Sequence, residues 1–82
     1  MTTYQTVIGN TDFQADEENN GQILIASQRL HFDLDLAEEL AEHWANRLLG
    51  REHEQVGTLN YIAVRKHDEA LDTWETLSEY EA

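Results

Sequence analysis

The balance of charge is the feature that most constrains how this chain can fold. Seventeen Asp and Glu residues stand against five Lys and Arg residues, which gives a formal net charge of -12 over 82 residues. Self-repulsion of this kind opposes a compact state. Hydrophobic residues nevertheless make up 40% of the chain, and they recur with a regularity that disordered acidic chains lack. We therefore expect one small folded domain over residues 1–82.

The composition also argues against several classes of protein. The chain contains no Cys, which rules out a disulfide framework and a thiolate metal site. No apolar run is long enough for a membrane span or a signal peptide. A negative field repels nucleic acid and anionic membranes, and it attracts basic partners. We expect a cytoplasmic protein that binds neither nucleic acid nor membrane directly.

The first third of the chain has the residue types of two strands. Residues 2–8 are rich in β-branched and aromatic side chains, and Gly9 and Asn10 signal a turn. Residues 9–21 are polar and end in Asn20 and Gly21, a pair typical of tight hairpins, so they predict a loop or hairpin arm. Residues 22–32 predict a second strand, with a bend near Ser27 to Arg29. Its apolar face comprises Leu24, Ala26, Leu30 and Phe32.

The middle of the chain changes to a helical period. Apolar residues recur every four positions, flanked by alanines, as in an amphipathic helix. Asp35 and Glu38 fit an acidic capping box, and Gly50 fits a C-terminal cap. The apolar stripe consists of Leu36, Leu40, Trp44 and Leu48.

The last third predicts a strand over residues 56–65 and a final helix capped by Asp68. The apolar face of that helix comprises Leu71, Trp74, Leu77 and Ser78. The predicted element order is ββαβα. This order indicates a small α+β domain in which two helices cover one face of an antiparallel three-strand sheet.

Two rows of carboxylates are the candidate binding site. On the predicted final helix, four carboxylates form a row about 16 Å long, and their spacing is like that of the phosphates of a nucleic-acid strand. The other row lies on the first helix, opposite its apolar stripe. Each carboxylate would accept hydrogen bonds from Arg or Lys of a basic partner. The first row is Asp68, Asp72, Glu75 and Glu79, and the second is Asp35, Glu38, Glu39 and Glu42, with Asp16, Glu17 and Glu18 as an extension.

These rows predict a nucleic-acid mimic, which inhibits a DNA- or RNA-handling protein by occupying its basic groove. In size and composition the chain is similar to the small acidic inhibitors that phages make against restriction or CRISPR machinery. No residue motif carries that similarity. The similarity implies stoichiometric binding of a basic nucleic-acid-binding protein, in the host cytoplasm if the chain is phage-encoded.

Three other interpretations compete with this one. The carboxylates are a solvated surface, or they are an adaptation to strong salt. In the third interpretation the chain is a protein–protein adaptor or a homodimer with a hydrophobic interface, whose acidity serves solubility. Trp44 and Trp74 are expected in the core, and in the adaptor interpretation one of them anchors the interface.

Catalytic and metal-binding patterns are weak. Asp16, Glu18 and Asn20 echo the start of a calcium-binding loop, but Ser27 stands where a bidentate Glu is needed. Of the four histidines, His43, one helical turn after Glu39, is the candidate metal ligand. No nucleophile elbow or phosphate-binding loop occurs. We expect no enzyme activity, no cofactor and no metal.

Overall fold

The computed structural model of the protein describes residues 2–11 and 24–81. Within these ranges the chain forms strands and a single helix. The elements are β1 (Tyr4–Asn10), β2 (Leu24–His31), α1 (Leu34–Arg47), β3 (Glu52–His53), β4 (Gly57–Thr58), β5 (Tyr61–Asp68) and β6 (Thr73–Glu81).

Four strands form one antiparallel sheet in the order β2-β1-β5-β6. The central pair, β1 and β5, brings together residues from near the two ends of the chain, with Val7 opposite Ala63. β3 and β4 form a separate two-stranded ribbon between the helix and β5. In the described part of the chain, β2 and β6 are the edges of the large sheet.

Helix α1 covers one face of this sheet. It packs against β1, β5 and β2, and Ala37 and Ala41, both fully buried, let its backbone come close to the strands. The hydroxyl of Thr6 donates to the carbonyl oxygen of Ala37 at 2.8 Å, a buried bond that joins strand to helix. The main core cluster contains Ile8, Ala37, Ala41, Trp44, Val56, Leu59, Ile62 and Val64.

We call the face of the sheet that points away from the helix the second face. Successive side chains along a strand alternate between the two faces. Ile8, Ile62 and Val64 point to the helix, so Val7 and Ala63 point away from it. Both are fully buried despite lying outside the main core cluster. The central strands are therefore buried on both faces.

The predicted three-strand sheet with two helices is wrong. The structure has a four-stranded antiparallel sheet and, among the described residues, one helix. The segment predicted as the final helix forms a tight turn followed by β6, which pairs with β5. Two physical reasons favour the strand. A helix would stack like charges at spacings of three and four residues, whereas a strand divides them between two faces. Pairing with β6 also covers what would otherwise be an open edge of β5.

Asp68 and Asp72 shape the turn before β6. The carboxylate of Asp68 accepts hydrogen bonds from the backbone N–H groups of Ala70 at 3.0 Å and Leu71 at 3.3 Å. Asp72 has a φ of 51°, in the left-handed region, where Asp is tolerated better than most residues. The sequence interpretation took Asp68 as a helix cap; the side chain caps a turn instead.

Element boundaries also differ from the prediction. Gly9 and Asn10, predicted as a turn, belong to β1. A Cβ on Gly9 would collide with the carbonyl group of Leu24, so glycine permits the close approach of β1 to β2. The register between these strands shifts there, leaving Ala26 as an extra residue. A bend is predicted near Ser27 to Arg29, and the irregularity in the structure lies at Ala26, next to that range. The predicted loop or hairpin arm over residues 9–21 lies, from residue 12 onward, outside the described residues.

The predicted boundaries of the helix and of the third strand are close to those in the structure but not identical to them. Asp33 caps the helix, because its carboxylate accepts a hydrogen bond from the N–H of Asp35 at 2.9 Å. Asp35 itself lies in the first turn. Gly50 follows the helix with a φ of 91°. The predicted strand over residues 56–65 divides into β4 and β5.

Candidate acidic binding surface

The second predicted row stays together in the structure. Asp35, Glu38, Glu39 and Glu42 all lie on α1 and are all exposed. At about 100 degrees per residue they fall within a sector of about 100 degrees on the helix surface. Ala37, Ala41 and Trp44 turn toward the sheet on the other side of the helix. We call these four carboxylates the helix row.

No basic group neutralises the helix row at close range. Among residues 2–11 and 24–81, none of its carboxylates lies within 4.0 Å of a Lys, Arg or His nitrogen. Arg47 belongs to the last turn, where a cation suits the helix dipole. Only Asp35 lies in the first turn, where the dipole favours an acid. The dipole therefore does not account for the other three members of the row.

The first predicted row does not form a line. Asp68 caps the turn, and Oδ1 of Asp72 lies 2.9 Å from Nε2 of His67. Glu75 is opposite Lys66 and lies on the helix side of the sheet, whereas Glu79 is opposite Ala63 and lies on the second face. Because this segment is not helical, its carboxylates do not have the arrangement that resembled a row of phosphates.

The merger of the two rows is also not seen. Helix α1 packs on β1, β2 and β5, whereas the four acids of the first row belong to the turn and strands of the β5–β6 hairpin. The extension through Asp16, Glu17 and Glu18 lies outside the described residues.

Glu79 instead takes part in a polar cluster on the second face with Tyr61 and Arg65. Burial raises the pKa of the Tyr61 phenol above its usual value, the Glu79 carboxylate raises it further, and Arg65 opposes that shift. Beside this cluster, the side-chain amide of Gln5 donates to the side-chain oxygen of Gln28 at 2.9 Å. This face is polar but contains a cation, so it is not a uniform acidic surface.

A groove between α1 and β2 was missed by the sequence interpretation. It encloses about 450 Å³. Its helix wall is apolar, and its strand wall carries a hydroxyl, a guanidinium and an imidazole. Nε2 of His31 is buried there and has no hydrogen-bond partner among the described residues. The lining residues are Ser27, Arg29, His31, Leu36, Leu40 and Trp44.

No sequence signal singles out this groove. Residues 22–32 contain no Asp or Glu, but residues 55–67 also contain neither. Leu36, predicted to be in the core stripe, is 52% exposed at the rim. Trp44 is in the core as predicted, but Trp74 is 39% exposed and its ring centroid lies 4.9 Å from that of His67. The prediction that Trp74 is a core residue was wrong, because it relied on the helical spacing.

The described residues contain neither a metal-binding group of side chains nor a membrane-spanning helix. No group of three or more His, Asp or Glu side chains there is arranged to hold a metal ion. Glu39 and His43 lie exposed on the helix, and the calcium-loop echo at Asp16 to Asn20 falls outside the described residues. No helix in the described chain combines the length and the apolar character needed to cross a bilayer.

Comparison with known protein families, curated proteins and solved structures gives no match. Any statement about function therefore depends on the surfaces of this chain alone.

Proposed function

We propose that the protein is a stoichiometric inhibitor that presents the helix row to the basic groove of a DNA- or RNA-handling protein. A nuclease of a restriction or CRISPR system is one member of that class of target. The observation that carries the proposal is the set of four exposed carboxylates on α1 with no cation within 4.0 Å among the described residues.

The spacing of these carboxylates suits such a role. From Asp35 to Glu42 the helix axis advances about 10 Å, at about 1.5 Å per residue. Phosphates of one DNA strand are about 3.4 Å apart along the axis, so four charges over this distance approach the charge density of a strand. A helix also holds its side-chain origins in fixed positions, which lowers the entropy lost on binding.

The hydrogen-bond donors in the basic groove of such a partner support the same proposal. Arg and Lys side chains that bind phosphates also form charge-assisted hydrogen bonds with carboxylates. The long-range field of a chain with net charge -12 speeds encounter with a basic partner. The resulting complex weakens as salt rises, because salt screens exposed charges beyond about 10 Å at 0.1 M.

The test compares two variants that each remove three negative charges. One carries Glu38→Gln, Glu39→Gln and Glu42→Gln on the helix. The matched control carries Glu54→Gln, Glu75→Gln and Glu81→Gln, which are exposed positions on other elements. Asp35 is left unchanged because it stabilises the first turn of α1.

Affinity capture from a bacterial lysate at low salt, followed by mass spectrometry, identifies retained proteins. We expect the unaltered chain and the control to retain a nucleic-acid-binding protein, which DNA displaces and high salt releases. The helix variant should bind it roughly a hundredfold more weakly, at about 1 kcal/mol per lost carboxylate. Equal binding by all three baits, or retention of no such protein, overturns the proposal. Circular dichroism verifies that each bait is folded.

A second candidate function is a protein–protein interaction module in which apolar contact dominates. Leu30 is 63% exposed, Phe32 is 70% exposed, and Leu36 is 52% exposed beside the groove. Binding through these side chains would survive about 0.5 M salt, whereas binding through the helix row would not. The same capture experiment, washed at both salt concentrations, separates the two functions.

A further inference from the structure

The inference concerns the edge strand β2 and is independent of the proposed function. In the order β2-β1-β5-β6, β2 has a neighbour on one side only within the described chain. Its eight residues, Leu24–His31, are mostly exposed. The backbone N–H and C=O groups on the outer side of such a strand are a template for a further strand.

The two edges of the sheet differ in charge. β6 carries Glu75, Glu79 and Glu81, whose charges oppose the approach of a second copy of this acidic chain. β2 has the sequence LIASQRLH, with no carboxylate, and Arg29 is its one permanently charged residue. Between the two edges of the described sheet, β2 is the one along which two copies can approach without placing carboxylates on opposed strands.

Apolar side chains border this edge on both sides of the sheet. Leu30 and Ile25 lie on the second face, opposite Gln5 and Gly9, and Leu36 rims the groove on the helix side. Their exposed fractions are 63% for Leu30, 41% for Ile25 and 52% for Leu36, and Phe32, just after the strand, is 70% exposed. A further strand paired with β2 would cover part of these apolar side chains on each face of the sheet.

We propose that β2 pairs antiparallel with β2 of a second copy, so that two sheets join into one of eight strands. The two-fold axis of such a pair is perpendicular to the sheet, which places both α1 helices on the same face. The groove of each copy then lies on the same face of the joined sheet as the groove of the other, with its Leu36 rim on that face. Isologous two-fold contacts of this kind are the commonest among homo-oligomers.

Side-chain pairing restricts the register. The regular part of β2 follows the extra residue Ala26. A register that sets Arg29 opposite Arg29 of the second copy opposes like charges at about 5 Å. Moving the axis by one residue sets Leu30 opposite Leu30 and Arg29 opposite His31, so the paired part of each β2 runs from Arg29 to His31, with Gln28 facing Phe32 just beyond the strand. We assign the axis to Leu30, where apolar side chains oppose each other.

Sedimentation equilibrium of the intact chain tests the proposal. We expect a species of twice the 9.5 kDa chain mass. Its dissociation constant should fall as salt rises from about 0.05 M to about 0.5 M, because screening reduces the repulsion between two acidic molecules. This is the opposite of the salt dependence of the proposed inhibitor complex, so either proposal can fail without the other.

Two matched pairs of variants locate the contact. Leu30→Lys should raise the dissociation constant at least tenfold, whereas Leu71→Lys, at a 72% exposed position in the turn before β6, should leave it unchanged. Because the chain has no Cys, Leu30→Cys should form an intermolecular disulfide under mild oxidation and Leu71→Cys should not. A monomer at all salt concentrations, or equal effects of the Leu30 and Leu71 variants, overturns the proposal. Dimerisation that Leu30→Lys leaves intact overturns it as well.

Discussion

At the scale of single residues, Tyr61 shows how the burial of one titratable side chain can affect stability. Its phenol lies near Glu79 and Arg65 on the second face, and its pKa is raised, mainly by burial. A raised pKa in the folded state means that folding favours the protonated phenol. The resulting stability is fully present below the unfolded pKa of about 10 and is lost as pH rises through the folded value.

We expect Tyr61→Phe to flatten the loss of stability at alkaline pH. The unaltered chain should show a falling urea midpoint between about pH 9 and pH 11.5, and the variant should show a smaller fall. Urea unfolding followed by circular dichroism across this range measures the effect. Tyr4→Phe is the control, because it removes a phenol from a different strand. Parallel pH profiles for the Tyr61 variant and the unaltered chain would rule out this role.

At the scale of elements, the helix could be predicted and the last strand could not. The alanine and leucine spacing from Leu36 to Leu48 favours a helix over a strand, and alanine and leucine are also strong helix formers. For residues 68–81, Leu71, Trp74 and Leu77 fit a helical face equally well, and their partner, β5, is known only from the fold. In the structure Leu71 is 72% exposed, so the spacing that predicted a buried face was coincidental.

The candidate site could likewise be predicted only where its geometry depends on one local element. The helix row could be predicted because its four members share one local element. The first row could not, because its geometry depended on a helix that the pairing of β5 and β6 replaces. The groove depends on contact between Trp44 and a strand more than a dozen residues earlier, and one sequence does not reveal that contact.

Asp33 and Asp35, two acids on either side of Leu34, allow the start of the helix to be tested. Asp33 caps α1, so Asp33→Ala should lower the free energy of unfolding by about 1 kcal/mol. Asp35→Ala, at the residue that the sequence pattern favoured as the cap, should cost only about 0.3 to 0.5 kcal/mol through the helix dipole. Urea unfolding at neutral pH measures both. A larger cost for the Asp35 variant would restore the cap predicted from the sequence.

At the scale of the whole molecule, the net charge of -12 opposes the compact state. The helix row contains carboxylates at spacings of three and four residues, and each such pair destabilises a helix by about 0.2 to 0.5 kcal/mol. The folded chain therefore retains local repulsion that added salt can relieve.

We expect about 0.5 M NaCl to raise the free energy of unfolding by on the order of 1 kcal/mol, through screening of these pairs. The helix variant with three Gln substitutions should gain less from salt than the control variant with three Gln substitutions elsewhere. Urea is the denaturant for this measurement, because guanidinium is itself a salt. Equal salt gains in the two variants would show that the repulsion is spread over the molecule. Measurements at several protein concentrations separate this gain from dimerisation.

The pairing of β1 with β5 has a consequence for the speed of folding. Closing a loop that joins nearly the two ends of the chain costs entropy before the central contacts, such as Val7 with Ala63, return any free energy. Topologies dominated by such distant contacts fold in about milliseconds to seconds, far more slowly than helical bundles. During synthesis β1 therefore cannot pair with β5 until β5 has been made, and until then Val7 lacks Ala63 and Ile8 lacks Ile62 as cross-strand neighbours. Apolar side chains exposed at this stage favour aggregation, and the strong negative charge opposes it by keeping chains apart.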